Sequence, residues 1–204
     1  MFIVIEGQDA TGKDTQAAKL VEHFKNQGKK VVHYAESGTA SENDFVRQIA
    51  QLNYGTVNDI DKRTRVLLYL VNRYEQFKKY AEPAIKNNDI VIVTRYWLST
   101  YIYEGYGTGV SRSLITRLHK IIMPEIYFKP DKIVILTLSD KERQKRLISQ
   151  GKRAKEFFKS QDAKYGKKLN DAYLKVAKDF SIPTLDTSGT PDEVFERLKK
   201  FWNI

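Results

Sequence analysis

The most restrictive stretch of this chain lies near its start. It reads Phe2-Ile3-Val4-Ile5-Glu6-Gly7-Gln8-Asp9-Ala10-Thr11-Gly12-Lys13-Asp14-Thr15-Gln16. A short apolar run is followed by two glycines at the spacing G-x-x-x-x-G and then by a lysine, with helical spacing taking over from Thr15 onward. Two glycines placed this way let successive backbone N–H groups curl around an anion. The helix start adds its positive end, and the lysine adds a charge on a movable stem. An ordinary turn needs neither the second glycine nor the lysine. Gly7, Gln8, Asp9, Ala10, Thr11, Gly12, Lys13, Asp14 and Thr15 are therefore read as a cradle for the phosphates of a nucleotide, with Lys13 reaching the outer ones.

The rest of the chain repeats the strand-then-helix order. Apolar runs at Phe2–Glu6, Val31–Tyr34, Ile90–Val93 and Lys132–Leu138, with a weaker fifth at Pro183–Leu185, read as strands. Their apolarity is continuous rather than alternating, which belongs to strands covered on both faces. Between them, amphipathic helices are expected at Thr15–Asn26, Lys62–Lys86, Ser111–Ile122, Asp140–Ser149, Gln161–Asp179 and Asp192–Phe201. Five such repeats predict an α/β fold, a five-stranded parallel sheet wrapped by helices on both faces. Ligands of such sheets bind beyond the carboxyl ends of the strands. Repeats, low-complexity tracts and Pro/Gly/Ser linkers are absent, so residues 1–204 are expected to form one domain.

Composition narrows the partners. The chain has no cysteine, so disulfides, thiolate zinc sites and cysteine nucleophiles are excluded, and a reducing compartment such as the cytoplasm is compatible. No run approaches the roughly 18 apolar residues of a membrane span, and no basic-then-apolar leader precedes the first strand, so neither membrane insertion nor secretion is expected. The net charge of +10 suggests a polyanionic partner. The excess is local, however: Asp140 to Lys178 holds 13 Lys and Arg against 5 Asp and Glu. A basic lid closing over nucleotide phosphates accounts for such a stretch without a nucleic-acid partner. His23, His33 and His119 are too scattered to argue a metal cluster or a histidine dyad.

Further residues carry a family resemblance. The Glu6-Gly7-Gln8-Asp9 loop is followed in order by Glu36-Ser37-Gly38-Thr39 with Arg47, by Leu68-Tyr69-Leu70-Val71-Asn72-Arg73, by Arg95-Tyr96 with Ser99 and Tyr103, and by Pro130-Asp131 opening a strand. The ordered set resembles the thymidylate kinases, P-loop nucleoside monophosphate kinases, over about residues 2 to 138, with a looser match beyond. The resemblance implies a magnesium-dependent transfer of the γ-phosphoryl of ATP to dTMP in a cytoplasmic homodimer acting on small-molecule nucleotides. It implies catalytic roles for Asp9, Lys13 and Arg95, and an acceptor site built from Glu36, Arg47, Tyr69, Arg73, Arg95, Tyr103 and Glu104. Arg47 and Arg95 would meet the acceptor phosphate, Tyr69 would stack on the base, and Arg73 would donate to its O4. The chemistry is consistent, because a monophosphate acceptor is already anionic and needs positioning and charge neutralisation more than a strong base.

Several positions depart from the family pattern. Tyr69 replaces the usual Phe, and Glu104 replaces a frequent Gln beside the base; a carboxylate accepts but does not donate. This keeps open a kinase of modified or several pyrimidines. Ala10 stands where some members carry a phosphate-loop arginine, so the cation on the transferring phosphoryl is expected from a lid at about 149–160, chiefly Arg153, with Arg146 and Lys155 as alternatives and Arg143 close by. A Walker-B-like reading of Ile133–Leu138 leaves a nucleic-acid-stimulated ATPase as a more distant option, while no Asn-Lys-x-Asp guanine motif exists.

Two departures form a pair. Asp14 occupies the place of the hydroxyl residue that holds magnesium, and Thr94 occupies the place of the family's Asp before the arginine. The carboxylate is read as having moved from one side of the metal to the other, a hard oxygen ligand in either place. Asp14→Thr is expected to weaken magnesium dependence and activity together, and adding Thr94→Asp to restore part of both. A magnesium titration of the two variants checks this, and full activity in the single variant would end the idea.

Overall fold

The structure, a computed structural model, describes residues 1–38, 41–54, 60–149 and 163–204. Five strands, β1 (Phe2–Gly7), β2 (Val31–Ala35), β3 (Ile90–Thr94), β4 (Lys132–Thr137) and β5 (Thr184–Asp186), form one sheet in the order β2-β3-β1-β4-β5. All neighbouring pairs are parallel. β1 therefore lies between β3 and β4, with Ile5 opposite Thr94 and Gly7 opposite Leu136.

The helices are α1 (Lys13–Asn26), α2 (Asp44–Tyr54), α3 (Lys62–Gln76), α4 (Glu82–Lys86), α5 (Trp97–Thr100), α6 (Arg112–Ile122), α7 (Asp140–Ser149), α8 (Ala163–Asp179) and α9 (Pro191–Trp202). Side chains alternate across the buried strands. Ile3, Ile5, Ile92, Val134 and Leu136 pack with Ala17, Leu20 and Phe24 of α1 and Leu198 and Trp202 of α9. Val4, Val91, Val93 and Ile135 face the other way, onto Leu70, Phe77, Leu98, Tyr173 and Val176 from α3, α5, α8 and the turn after α3. Both faces are covered, as the continuous apolarity of the strands requires.

Two regions differ from the expected pattern. The helix expected over Lys62–Lys86 is a single run, but Phe77–Ala81 widens into a π-helical turn in which the Glu82 N–H bonds back to the Phe77 carbonyl. Pro83 follows at once and has no N–H to give to Lys79, so the ladder shifts register around it. Helices α2 and α5, the latter continuing into a second π-helical turn at Tyr101–Gly107, carry no predicted range. Aromatic residues crowd the second: the rings of Trp97, Tyr101, Tyr103 and Tyr106 pack into the core around α8.

Candidate active site

The phosphate loop leaves β1 through Gly7, whose φ of +150° and surroundings admit no side chain. A Cβ there would stand 2.6 Å from Thr11 Oγ1 and 2.7 Å from the Leu136 carbonyl oxygen. Gly12 closes the loop at φ +85° and caps α1. Thr11 donates its hydroxyl (2.8 Å) and its N–H (3.3 Å) to the Gln8 carbonyl, and the buried Lys13 ammonium reaches the same oxygen at 3.4 Å. The Gln8 side chain, itself buried, donates to the Gly166 carbonyl of α8 at 2.9 Å. Asp14 and Thr15 open α1 in exposed positions.

Because β3 is paired with β1, the residues after each strand meet. Arg95 has φ +63°, a left-handed conformation that turns the chain sharply from β3 into α5. Its guanidinium is bonded to Asp9. The other Asp9 oxygen accepts from the Tyr103 hydroxyl at 3.0 Å, and Lys13 Nζ lies 3.6 Å from the carboxylate. Arg95 and Lys13 hold the Asp9 carboxyl far below the usual range despite its burial. Below the loop, Glu6 is fully buried and accepts from Ser99 N–H (3.0 Å) and Ser99 Oγ (2.9 Å), which ties β1 to α5.

A second cluster lies on the β2 side of the sheet. The Glu36 N–H continues the ladder onto the Thr94 carbonyl at 2.9 Å, and its carboxylate takes Arg73 Nε and the Tyr127 hydroxyl (3.1 Å). Arg73 is 2% exposed. Its Nη1 contacts Thr100 Oγ1 (3.3 Å) and His119 Nε2 (2.9 Å), and its Nη2 donates to the Tyr96 carbonyl (3.2 Å). Four of the five guanidinium N–H groups are thus committed, leaving one on Nη2.

The model of the family described as thymidylate kinase matches residues 5–198. The chain belongs to the thymidylate kinase family. It is 34% identical to a thymidylate kinase of Caldicellulosiruptor saccharolyticus over 98% of this chain and 94% of that one. It is 33% identical to a probable thymidylate kinase of Thermococcus onnurineus over 88% and 85%. The fold is that of the crystal structure of thymidylate kinase from Ehrlichia chaffeensis, with a TM-score of 0.75, 24% identity, and coverage of 100% of this chain and 98% of that one. Like its family, the protein is an enzyme of the nucleoside monophosphate kinase class.

Within this thymidylate kinase framework the predicted residues fall into groups. Asp9, Lys13, Arg95 and Tyr103 come together around one carboxylate, and Glu36 and Arg73 around another. Arg47 lies on α2, bonded to Asp44 and to the Ser41 carbonyl (2.9 Å). Tyr69 is half-buried on α3, one turn before Arg73. Glu104 is 3% exposed, and its carboxylate accepts from Thr108 Oγ1 at 3.0 Å; burial raises its carboxyl above the ordinary range. Arg146 bonds to the Thr187 carbonyl (2.5 Å), and its Nη1 stands 3.6 Å from where a side chain on Gly12 would begin. Arg143 is buried against Gly166 of α8. Arg153, Lys155 and the expected lid from residue 150 on lie outside the described residues. The partners Ser99, Thr100, Tyr127 and His119 carried no predicted role. His119 follows Ile115 by one helical turn, so its burial was legible, but its partner was not.

Burial pushes Glu36 up to about 7 against the pull of Arg73. The unfolded carboxyl titrates near 4.5, so the native state holds the proton more tightly. The corresponding stability is fully present below about pH 4.5 and is lost as pH rises through about 7. Arg73→Leu removes the group that compensates the carboxylate, and is expected to lower the unfolding free energy by about 3–5 kcal/mol at pH 8. The loss should be smaller at pH 5.5, where Glu36 accepts a proton. Urea unfolding at the two pH values checks this, and an equal loss at both would refute the assignment.

Proposed function

We propose that the protein transfers the γ-phosphoryl of ATP to dTMP, giving ADP and dTDP. The observation that carries this reading is the convergence at one sheet edge of the β1 cradle, the Asp9–Arg95–Tyr103 cluster and the Glu36–Arg73 pair. An acceptor phosphate oxygen forms the new bond to the γ-phosphorus as the bond to the β–γ bridging oxygen breaks. The cradle N–H groups and Lys13 hold the donor phosphates. Arg95 neutralises the acceptor phosphate while Asp9 and Tyr103 fix its direction, and Arg47 approaches from α2. Tyr69 stacks on the base, and the remaining N–H of Arg73 donates to its carbonyl edge. Lid cations such as Arg153 complete the charge on the transferring group.

Magnesium, when bound, screens the phosphate charges and so favours attack by another anion. The donor set fits it: Asp14 offers an exposed hard-oxygen ligand beside the cradle, and the Thr94 hydroxyl is buried with no hydrogen-bond partner. Among the described residues no cluster of three His, Cys, Asp or Glu exists. That suits an ion that keeps its waters and relies on substrate phosphates.

A homodimer is proposed through α2 and α3, which pack on each other while leaving Phe45, Leu52, Leu67 and Val71 between 41% and 49% exposed. No helix among the described residues is long and apolar enough to cross a membrane, and a cytoplasmic location fits the absence of cysteine.

A coupled ADP-release assay with ATP, magnesium and each deoxynucleoside monophosphate in turn tests the reading. dTMP is expected to give the highest kcat/KM, and Arg95→Ala to lower it by roughly 10³-fold or more. Equal or better turnover of dCMP or a modified pyrimidine would instead favour a broader pyrimidine kinase, with Glu104 as its reason. For the dimer, Leu67→Glu is expected to shift sedimentation from dimer to monomer, and a wild type that sediments as a monomer would refute the interface.

A further inference from the structure

His119 has no part in the chemistry described above, yet it is fully buried and both of its ring nitrogens are committed. Nδ1 lies 2.7 Å from the Ile115 carbonyl oxygen, which can only accept. Nε2 lies 2.9 Å from Arg73 Nη1, and a guanidinium can only donate. One arrangement of protons satisfies both contacts: a neutral imidazole with hydrogen on Nδ1 and a lone pair on Nε2. The ring is held further by Trp97, whose centroid is 5.9 Å away.

Arg73 is in this way gripped on several sides, by Glu36 at Nε, by His119 and Thr100 at Nη1 and by the Tyr96 carbonyl at Nη2. The guanidinium is planar. Fixing Nε and Nη1 therefore fixes the direction of the last Nη2 N–H. The ion pair with Glu36 alone would leave the fork free to tilt.

We infer that His119 is a positioning residue for acceptor recognition, its neutral Nε2 lone pair holding the Arg73 guanidinium at the angle from which the uncommitted N–H meets the carbonyl edge of the acceptor base. This rests on the proposed role of Arg73 in binding dTMP. Neither a cation nor an apolar side chain can replace the lone pair, since one repels Arg73 and the other leaves a buried N–H unpaired. The charged and titratable groups facing the ring are Arg73 from α3 and, beyond it, Glu36, Tyr96 and Tyr127. Burial first and Arg73 second hold the imidazolium down to about 3, so the ring stays neutral at working pH.

Nitrogen-15 NMR of the wild-type protein reads the tautomer directly. His119 is expected as the neutral Nδ1–H form down to pH 5. An Nε2–H tautomer, or a His119 that is protonated at pH 5, overturns the inference. Kinetics supply the second arm. His119→Leu is expected to raise the KM for dTMP roughly ten-fold and to narrow the preference for dTMP over dCMP, with kcat little changed. His119→Gln, which restores an acceptor oxygen, is expected to keep the wild-type KM to within about three-fold. A folded His119→Leu with wild-type KM and base preference overturns the inference. So does a stable His119→Gln with a raised KM, which decides the matter if the leucine variant does not fold. Failure of the dTMP reading itself shows earlier, as a wild type that does not turn over dTMP, and the tautomer then still decides the local geometry.

Discussion

Asp9 separates two cations that would otherwise repel each other. Lys13 is buried, and both its burial and the nearby Arg95 disfavour its charged form; Asp9 is the strongest influence in the other direction. The carboxylate belongs to the loop after β1 and Arg95 to the turn after β3, so their contact exists only because those strands are paired in parallel with Ile5 opposite Thr94. Tyr103, in the π-helical turn after α5, closes the cluster. The phosphate loop, the sheet edge and the α5 region are thereby tied at one point, and any group that binds between Lys13 and Arg95 meets a preset charge.

The Glu36–Arg73 cluster rests on a different arrangement. Burying Glu36 with Arg73 removes both charges from water, and such pairs contribute little net stability because desolvation offsets their attraction. Burial holds the Glu36 carboxyl above its ordinary range, while Glu36 holds the Arg73 guanidinium above its own despite the same burial. What the pair contributes is direction. Surrounded by Thr100, His119, Tyr127 and the Tyr96 carbonyl, the guanidinium has one orientation, and a fixed donor discriminates between base edges better than a mobile one. The two clusters share a support, since the Glu36 N–H bonds to the carbonyl of Thr94, the residue preceding Arg95.

Much of this was legible in the residues. The cradle was, because a Gly7 to Gly12 spacing between a strand and a helix has few other uses, and the closeness of Thr11 and Leu136 explains why Gly7 admits nothing larger. The five strands were, because continuous apolar runs bounded by polar residues have a characteristic length. The α5 region was not. Its aromatic residues follow no clean helical period, and Tyr101–Gly107 is π-helical, where the spacing of buried positions shifts. Arg73 was read as a donor to the base, and nothing in the one-dimensional pattern shows that four of its five donors are taken by side chains and carbonyls from elsewhere in the chain.

The amino-acid sequence by itself determined the local units: which stretches are strands or helices, and where the glycine cradle lies. Those properties follow from backbone conformational preferences and from the period of apolar residues, both of which act over a few positions. Tertiary structure alone decided which of these units became neighbours. The strand order β2-β3-β1-β4-β5 brought Glu36, Arg95 and Asp9 to one edge, and helix packing brought His119 to Arg73 across 46 positions of chain. Contacts of that kind arise from the burial of whole faces against one another, and a buried charge takes its partner from whatever element the packing sets beside it.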